Sequence, residues 1–188
     1  MKVCTYQLAT GRREPAATVR VTAMAEAFND KVLPDAKADR YAELAAEIAA
    51  VLEGERNLTA RMATIAAMLA QSFETFLWTG FYVVDPEQPQ ELVVGPYQGT
   101  LGCLRIPFGR GVCGTAAAER RTQVVPDVEA FPGHIACDSR SRSEIVAPVL
   151  SRSGELIAVL DVDSAELDAF DETDSVWLER ILEDAFGR

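Results

Sequence analysis

Hydrophobic residues recur at helical spacing in two consecutive segments of the chain. From about residue 38 to 53 the hydrophobic residues share one helical face, which consists of Tyr41, Leu44, Ile48, Val51 and Leu52. Gly54 follows this segment and is a natural stop for the helix. From about 57 to 73, Asn57 is the predicted N-cap of a second face, which carries Leu58, Met62, Ile65 and Leu69. The pattern therefore predicts two amphipathic helices in succession.

Aromatic and β-branched runs replace the helical pattern after residue 75. Segments 76–85 and 91–99 are typical of strands, with the turn DPEQPQ between them, and CLRIPF indicates a short third strand. Three further strands are predicted at 121–127, 144–150 and 156–164, the last two joined by the turn SRSG. Between the first two of these lies VEAFPGHIACDSRSRS, which has no periodicity and is typical of a functional loop.

Two more helices complete the predicted elements. GRGVCGTAAAER is read as a glycine-rich turn that opens a short helix. The chain ends in a helix capped near Asp171, with Trp177, Ile181 and Leu182 turned inward. Helices at both ends and short strands in the middle predict one α+β domain over residues 38–188, with a mostly antiparallel sheet.

Residues 1–37 show no sustained periodicity and are predicted to be an N-terminal extension. Two interpretations stay open: a flexible tail, and an organelle-targeting segment, because the stretch is poor in acids up to Glu14. The chain has no run of about 18 apolar residues and no secretion signal, so we expect a cytoplasmic protein without a membrane span. A formal net charge of −11 argues against nucleic-acid binding, which needs clustered basic residues.

Three of the four cysteines cluster in one stretch of the sequence. Cys103, Cys113 and Cys137 lie close to the only histidine, His134, and thiols of a reducing compartment usually serve chemistry or metal binding. Cys137 lies in the long polar loop, so we expect an accessible thiol there, and either of the other two could be the second sulfur of a redox pair. The helix dipole is expected to lower the pKa of Cys113.

Nearby charges and a possible metal set bear on these cysteines. Arg140 and Arg142 would favour a Cys137 thiolate, whereas Asp138 would oppose it. A zinc set of three cysteines and one histidine is the alternative interpretation: Cys103, Cys113, His134 and Cys137. Structural zinc sites usually use close pairs such as C-x-x-C. Here the only close pair is His134 with Cys137, so we predict no metal.

Acidic and aromatic residues are placed unusually on the predicted strands. Alternation puts Asp161 and Asp163 on one face of an apolar strand, and Glu144 opens a neighbouring strand. The acids are either edge residues in water or the lining of a polar pocket. Trp78 and Tyr82 also share a face, where core packing and a shallow aromatic cage are both open.

Four motifs together resemble the free methionine-(R)-sulfoxide reductases, which are stand-alone catalytic members of the GAF domain class. These motifs are WTGFY (78–82), GCLRIPFGRGVCGTA (102–116), DVEAFPGHIACDSRSRSEIVAPV (127–149) and GELIAVLDVDS (154–164). The resemblance covers about residues 40–185. It implies a single GAF domain with a six-stranded, mostly antiparallel sheet and helices from both chain ends packed on it.

The resemblance also implies a role for each matching position. Cys137 is implied to be the catalytic cysteine, Cys103 the resolving cysteine and Cys113 an auxiliary catalytic cysteine. The catalytic and substrate-binding acids are implied to be Glu144, Asp161 and Asp163. The aromatic wall of the substrate pocket is implied to consist of Trp78 and Tyr82.

The activity implied is thiol-dependent reduction of free L-methionine-(R)-sulfoxide to methionine, through a Cys137 sulfenic acid and a Cys103–Cys137 disulfide. Such an enzyme is an oxidoreductase that acts on a sulfur group with a disulfide as acceptor. It binds no cofactor and uses thioredoxin, linked to NADPH, as external reductant. A homodimer is a reasonable expectation for its assembly. The alternative is a non-catalytic GAF sensor domain that binds a small molecule and needs no thiol.

Overall fold

The computed structural model describes residues 37–135 and 137–187. The predicted N-terminal extension, including Cys4, lies outside the described residues except for Lys37. In chain order the elements are α1 (Lys37–Val51), α2 (Leu58–Ser72), β1 (Trp78–Val84), β2 (Glu91–Gln98), β3 (Arg105–Pro107), α3 (Gly111–Glu119), β4 (Gln123–Val125), β5 (Ser143–Leu150), β6 (Leu156–Ser164) and α4 (Glu172–Leu182). No helix in these two ranges is long and apolar enough to cross a membrane.

The six strands form one antiparallel sheet in the order β3-β2-β1-β6-β5-β4. This confirms the predicted α+β class and the six-stranded sheet. The two edge strands, β3 and β4, have only three residues each and are shorter than predicted. Pro107 ends β3 and Pro126 follows β4, and proline has no N–H to extend a ladder.

The two faces of the sheet bury different groups. On one face, α3 packs over a core that includes Tyr82, Val146 and Val159. On the other face, Phe81 meets Phe186, which follows α4, with ring centroids 6.0 Å apart. The strands are therefore covered on both sides, so polar groups that point from them into α3 are withdrawn from water.

Helix ends follow the capping residues seen in the sequence. Asn57 caps α2 by accepting from the Ala60 amide, as predicted. Asp171 caps α4 in a reciprocal capping box with Asp174. Trp177 turns inward only in part: one face of its ring stacks on the buried Tyr41, and the other lies under the Arg180 guanidinium, so the side chain is half-buried.

Candidate active site

Strand register brings the predicted acids together. Asp163 of β6 lies opposite Trp78 of β1 on one side and opposite Glu144 of β5 on the other. Asp161 lies opposite Gly80 in the same ladder. Directly opposed residues of antiparallel strands point to the same side of the sheet, so the three acids share the face that α3 covers.

A small cavity of about 20 Å³ lies between this face, α3 and the loop before β5. Its lining contains most of the predicted site together with several residues that the sequence did not single out as substrate contacts: Ile106, Arg110, Gly111, Val112, Cys113, His134, Ile135, Cys137, Ser141, Glu144, Asp161 and Asp163. Such a volume holds about one water molecule. In this state the site is therefore closed to any amino acid.

Cys137 is bonded to Cys103, and their Cα atoms are 5.2 Å apart. The disulfide implied by the resemblance is thus present in the structure. Cys137 is exposed and Cys103 is half-buried. Because the two sulfurs are bonded to each other, they are not available as thiolate ligands in this state, which contradicts the four-residue zinc set. Arg140, expected to favour the Cys137 thiolate, instead pairs with Asp138 at 2.7 Å.

Cys113 remains a free, buried thiol. Its Sγ donates to Glu144 Oε1 at 3.7 Å. Burial raises the pKa of Cys113 well above its ordinary value, and the negative charges of Asp161 and Glu144 raise it further. The expected lowering by the helix dipole is therefore wrong, because desolvation and two neighbouring acids outweigh the partial charge of the helix end.

Glu144, Asp161 and Asp163 share one site. Among the ion pairs between described residues, none joins these three acids to a basic side chain. Burial raises the pKa of Glu144 and of Asp161, and the nearby acids raise both further. Burial also raises the pKa of Asp163 to about 6. Asp161 Oδ1 is buried with no hydrogen-bond partner, an arrangement that is rare unless a ligand or a chemical step uses the atom.

Three of the cavity groups are close enough to hold a cation: one ligand atom each from Cys113, Glu144 and Asp161 lies within 4.8 Å of the others. Metal ligation requires deprotonated thiolate and carboxylate groups. The raised pKa values of all three favour their protonated forms. In its metal-free form the donor set therefore suits proton donation.

The aromatic pair lies beside the acids but does not line the closed cavity. Trp78 and Tyr82 stack with ring centroids 5.6 Å apart, and a Cβ at Gly80 would come 2.7 Å from the Trp78 ring. A Cβ at Gly102 would come 2.7 Å from the Tyr82 hydroxyl, so the segment that carries Cys103 lies directly against both rings. The prediction that the pair lines the same cavity is thus wrong for this state, because that segment covers them.

Sequence reasoning missed two polar residues of the cavity. The hydroxyl of Ser141 is buried and has no hydrogen-bond partner. It is near enough to Asp163 to oppose the rise in that acid's pKa, although the geometry falls short of a hydrogen bond. Arg110 is the N-cap residue of α3 but makes no capping bond with its side chain. Their positions in the sequence could have identified both residues. Ser141 lies in the same polar loop as Cys137, and Arg110 precedes Cys113 by three residues.

The sequence of this chain is similar to a known domain family and to several known proteins. The GAF domain family matches residues 55–185, which defines the class of the fold. The chain is 51% identical over 146 residues to GAF domain-containing protein A of Dictyostelium discoideum, covering 78% of this chain and 90% of the relative. It is 40% identical over 146 residues to the free methionine-R-sulfoxide reductase of Escherichia coli, covering 78% and 86%.

Among solved structures, the X-ray structure of free methionine-R-sulfoxide reductase from Neisseria meningitidis in complex with its substrate is similar to this chain. The TM-score is 0.77 and the identity 48%, covering 81% of this chain and 89% of that one. The chain therefore belongs to the free methionine-R-sulfoxide reductase family of GAF-domain proteins.

Proposed function

We propose that this protein is an oxidoreductase that reduces free L-methionine-(R)-sulfoxide to methionine. The observation that carries the proposal is the cavity itself, where acids with raised pKa values face a cysteine that is bonded to a second cysteine. The similarity to free methionine-R-sulfoxide reductases supports the same substrate.

The chemistry needs a proton donor near the sulfoxide oxygen and a nucleophilic sulfur near the sulfoxide sulfur. A protonated acid of the cluster gives its proton to the sulfoxide oxygen, and the Cys137 thiolate attacks sulfur. The sulfur–oxygen bond of the substrate breaks as the hydroxyl is transferred to the Cys137 sulfur, so methionine leaves and Cys137 becomes a sulfenic acid. The Cys103 thiol then condenses with it, releasing water and forming the disulfide. An external dithiol, thioredoxin, restores both thiols by exchange and is itself oxidised.

The lining of the cavity also supports selectivity for the free amino acid as part of the proposal. An ionised acid of the cluster pairs with the α-ammonium group, which a peptide-bound residue lacks. Arg110 and the unpartnered Ser141 hydroxyl are the lining groups suited to the α-carboxylate. Trp78 and Tyr82 contact the S-methyl group once the segment that covers them moves away.

An assay coupled to thioredoxin, thioredoxin reductase and NADPH tests the proposal. Cys137→Ser should keep less than about a hundredth of wild-type activity, a barrier increase of about 2.7 kcal/mol or more. Cys103→Ser should release about one methionine per enzyme and then stall, because the sulfenic acid forms but is not resolved. Cys4→Ser is the matched control and should retain wild-type turnover.

Substrate analogues separate this activity from the alternative. N-acetylation of methionine sulfoxide removes the ammonium group and should lower kcat/KM by roughly 10²-fold or more. Equal kcat/KM for the free and N-acetylated compounds would show that the ammonium is not recognised. Binding of methionine sulfoxide without any turnover in the reduced wild-type protein would favour the sensor-domain alternative and overturn the proposal.

A further inference from the structure

A polar contact links the two segments that carry the disulfide cysteines. Asp138 directly follows Cys137, and Thr100 precedes Cys103 by three residues. The Thr100 hydroxyl donates to Asp138 Oδ2 at 2.5 Å. Arg140 donates to the same Oδ2 at 2.7 Å and to the Thr100 hydroxyl oxygen at 3.2 Å. We call these three side chains the clasp.

The clasp lies at the protein surface, with its carboxylate largely shielded and its guanidinium exposed. The Asp138 side chain is only 13% exposed. Its Oδ1 accepts from the Arg140 amide at 3.0 Å, which shapes the loop just after Cys137. The Arg140 guanidinium, followed by the Thr100 hydroxyl, holds the pKa of Asp138 well below its ordinary value. The carboxylate therefore stays charged throughout the neutral range, and its hydrogen bonds are charge-assisted.

Thr100 is fixed to the sheet as well as to the loop. Its carbonyl oxygen accepts from the Trp78 indole Nε1 at 3.1 Å. Two residues further on, Gly102 lies against the Trp78 and Tyr82 rings. The Cys103 segment is thus held on the aromatic pair from one side, while Asp138 and Arg140 hold the Cys137 loop to it from the other.

We propose that Thr100, Asp138 and Arg140 are positioning residues that close the Cys137 loop onto the Cys103 segment. Each of the two sulfurs lies on an irregular segment of the chain. Without the clasp, both segments would have to be ordered when the disulfide forms, which costs conformational entropy. With it, the hydrogen bonds hold both segments next to the position of the disulfide. The clasp therefore favours disulfide formation over the separated thiols.

The closed cavity limits when the Cys137 loop can lie on the Cys103 segment during the proposed reaction. Its volume of about 20 Å³ excludes an amino acid, so the Cys137 loop, which lines it, has to move when substrate enters. We expect the clasp to open with that movement and to re-form when the disulfide closes. Breaking it should slow resolution of the Cys137 sulfenic acid while sparing the first sulfoxide reduction. This part rests on the proposed function, whereas the effect on the disulfide equilibrium does not.

The first experiment measures the Cys103–Cys137 disulfide in mixtures of reduced and oxidised glutathione, by alkylation and mass spectrometry. In Asp138→Asn the equilibrium constant for forming the disulfide should fall about tenfold, equivalent to a reduction potential about 30 mV higher. Thr100→Val should act in the same direction, because it removes the link to the Cys103 segment and leaves the Asp138–Arg140 pair. A change of less than about twofold in both variants would overturn the proposal.

Arginine variants supply a matched control. Arg140 and Arg121 each pair with an acid two residues away, Asp138 and Glu119, at 2.7 and 2.8 Å. Arg121 lies at the surface and touches neither cysteine segment, so Arg121→Gln should leave the disulfide equilibrium unchanged, whereas Arg140→Gln should shift it. Equal shifts in the two variants would indicate a general charge effect and would contradict the clasp.

A second measurement follows turnover of the reduced enzyme with one equivalent of methionine sulfoxide. In Asp138→Asn the first methionine should appear within about threefold of the wild-type rate, with more Cys137 sulfenic acid trapped by a dimedone reagent. A slowed first release with no extra sulfenic acid would contradict a role in resolution. If wild type forms no methionine but the glutathione shift persists, the proposed function fails and the clasp stands.

Discussion

Two buried carboxylates of similar exposure have opposite surroundings. Asp174, fully buried at the start of α4, accepts from Tyr41 Oη at 2.8 Å, from the Asp171 amide at 2.8 Å and from Lys37 Nζ. Asp161, 5% exposed on β6, has a buried oxygen without a partner and two acids as neighbours. Both residues are largely removed from water, but only Asp174 has a cation and a hydrogen-bond donor for each oxygen.

The difference separates a structural acid, Asp174, from Asp161, for which we propose a functional role. Asp174 joins α1 to α4, and each of its oxygens is satisfied, as buried polar groups in stable folds usually are. Burying Asp161 beside other acids is unfavourable and lowers the stability of the fold, so stability does not account for an acid at this position. That cost is consistent with a proton-donating and ammonium-binding role for the cluster. The same chemical change at the two positions should therefore have opposite consequences.

The largest effect is expected from Asp161→Asn on activity. The amide keeps the shape of the side chain but loses both the transferable proton and the charge, so kcat/KM should fall by roughly 10²–10⁴-fold. Steady-state kinetics on free methionine sulfoxide would measure it. The free energy of unfolding should stay the same or rise, since an unfavourable buried group is removed. A large loss of stability with activity preserved would reverse the assignment.

A smaller effect, on stability alone, is expected from Asp174→Asn. The substitution removes the charge paired with Lys37 and places an amide donor against donors, so the free energy of unfolding should fall by about 2–3 kcal/mol. Urea denaturation measures the loss. Activity per folded molecule should match wild type, and a hundredfold loss of kcat/KM would show that the two regions are not separable.

The smallest effect concerns pH. The pKa of Asp163 is raised to about 6, so between about pH 4 and pH 6 the folded state keeps a proton that the unfolded chain releases. The resulting stabilisation is complete below about pH 4 and is lost as pH rises through about 6. Relative to Asp163→Asn, the wild-type free energy of unfolding should drop by about 2 kcal/mol from pH 4 to pH 7. A constant difference in urea titrations across this range would contradict the raised pKa.

The sequence pattern predicted most of the fold because the elements follow local rules. Apolar periodicity located α1, α2 and the long strands, and capping residues such as Asn57 and Asp171 located helix ends. The edge strands were predicted too long, since their ends depend on where neighbouring strands stop pairing. Trp177 was placed inside because an aromatic on a helical stripe usually is, whereas its burial depends on what packs against that stripe.

For the candidate site, the chain alone determined which residues were available and on which strand face they lie. Period-two alternation put Asp161 and Asp163 on one side of β6, and the loop composition marked Cys137. Only the tertiary structure decided the rest. Strand register brought Glu144 to Asp163, and burial beside those acids reversed the expected pKa shift of Cys113. The segment before β3 covers the aromatic pair. These are long-range effects, since desolvation and charge coupling depend on distances that local sequence does not encode.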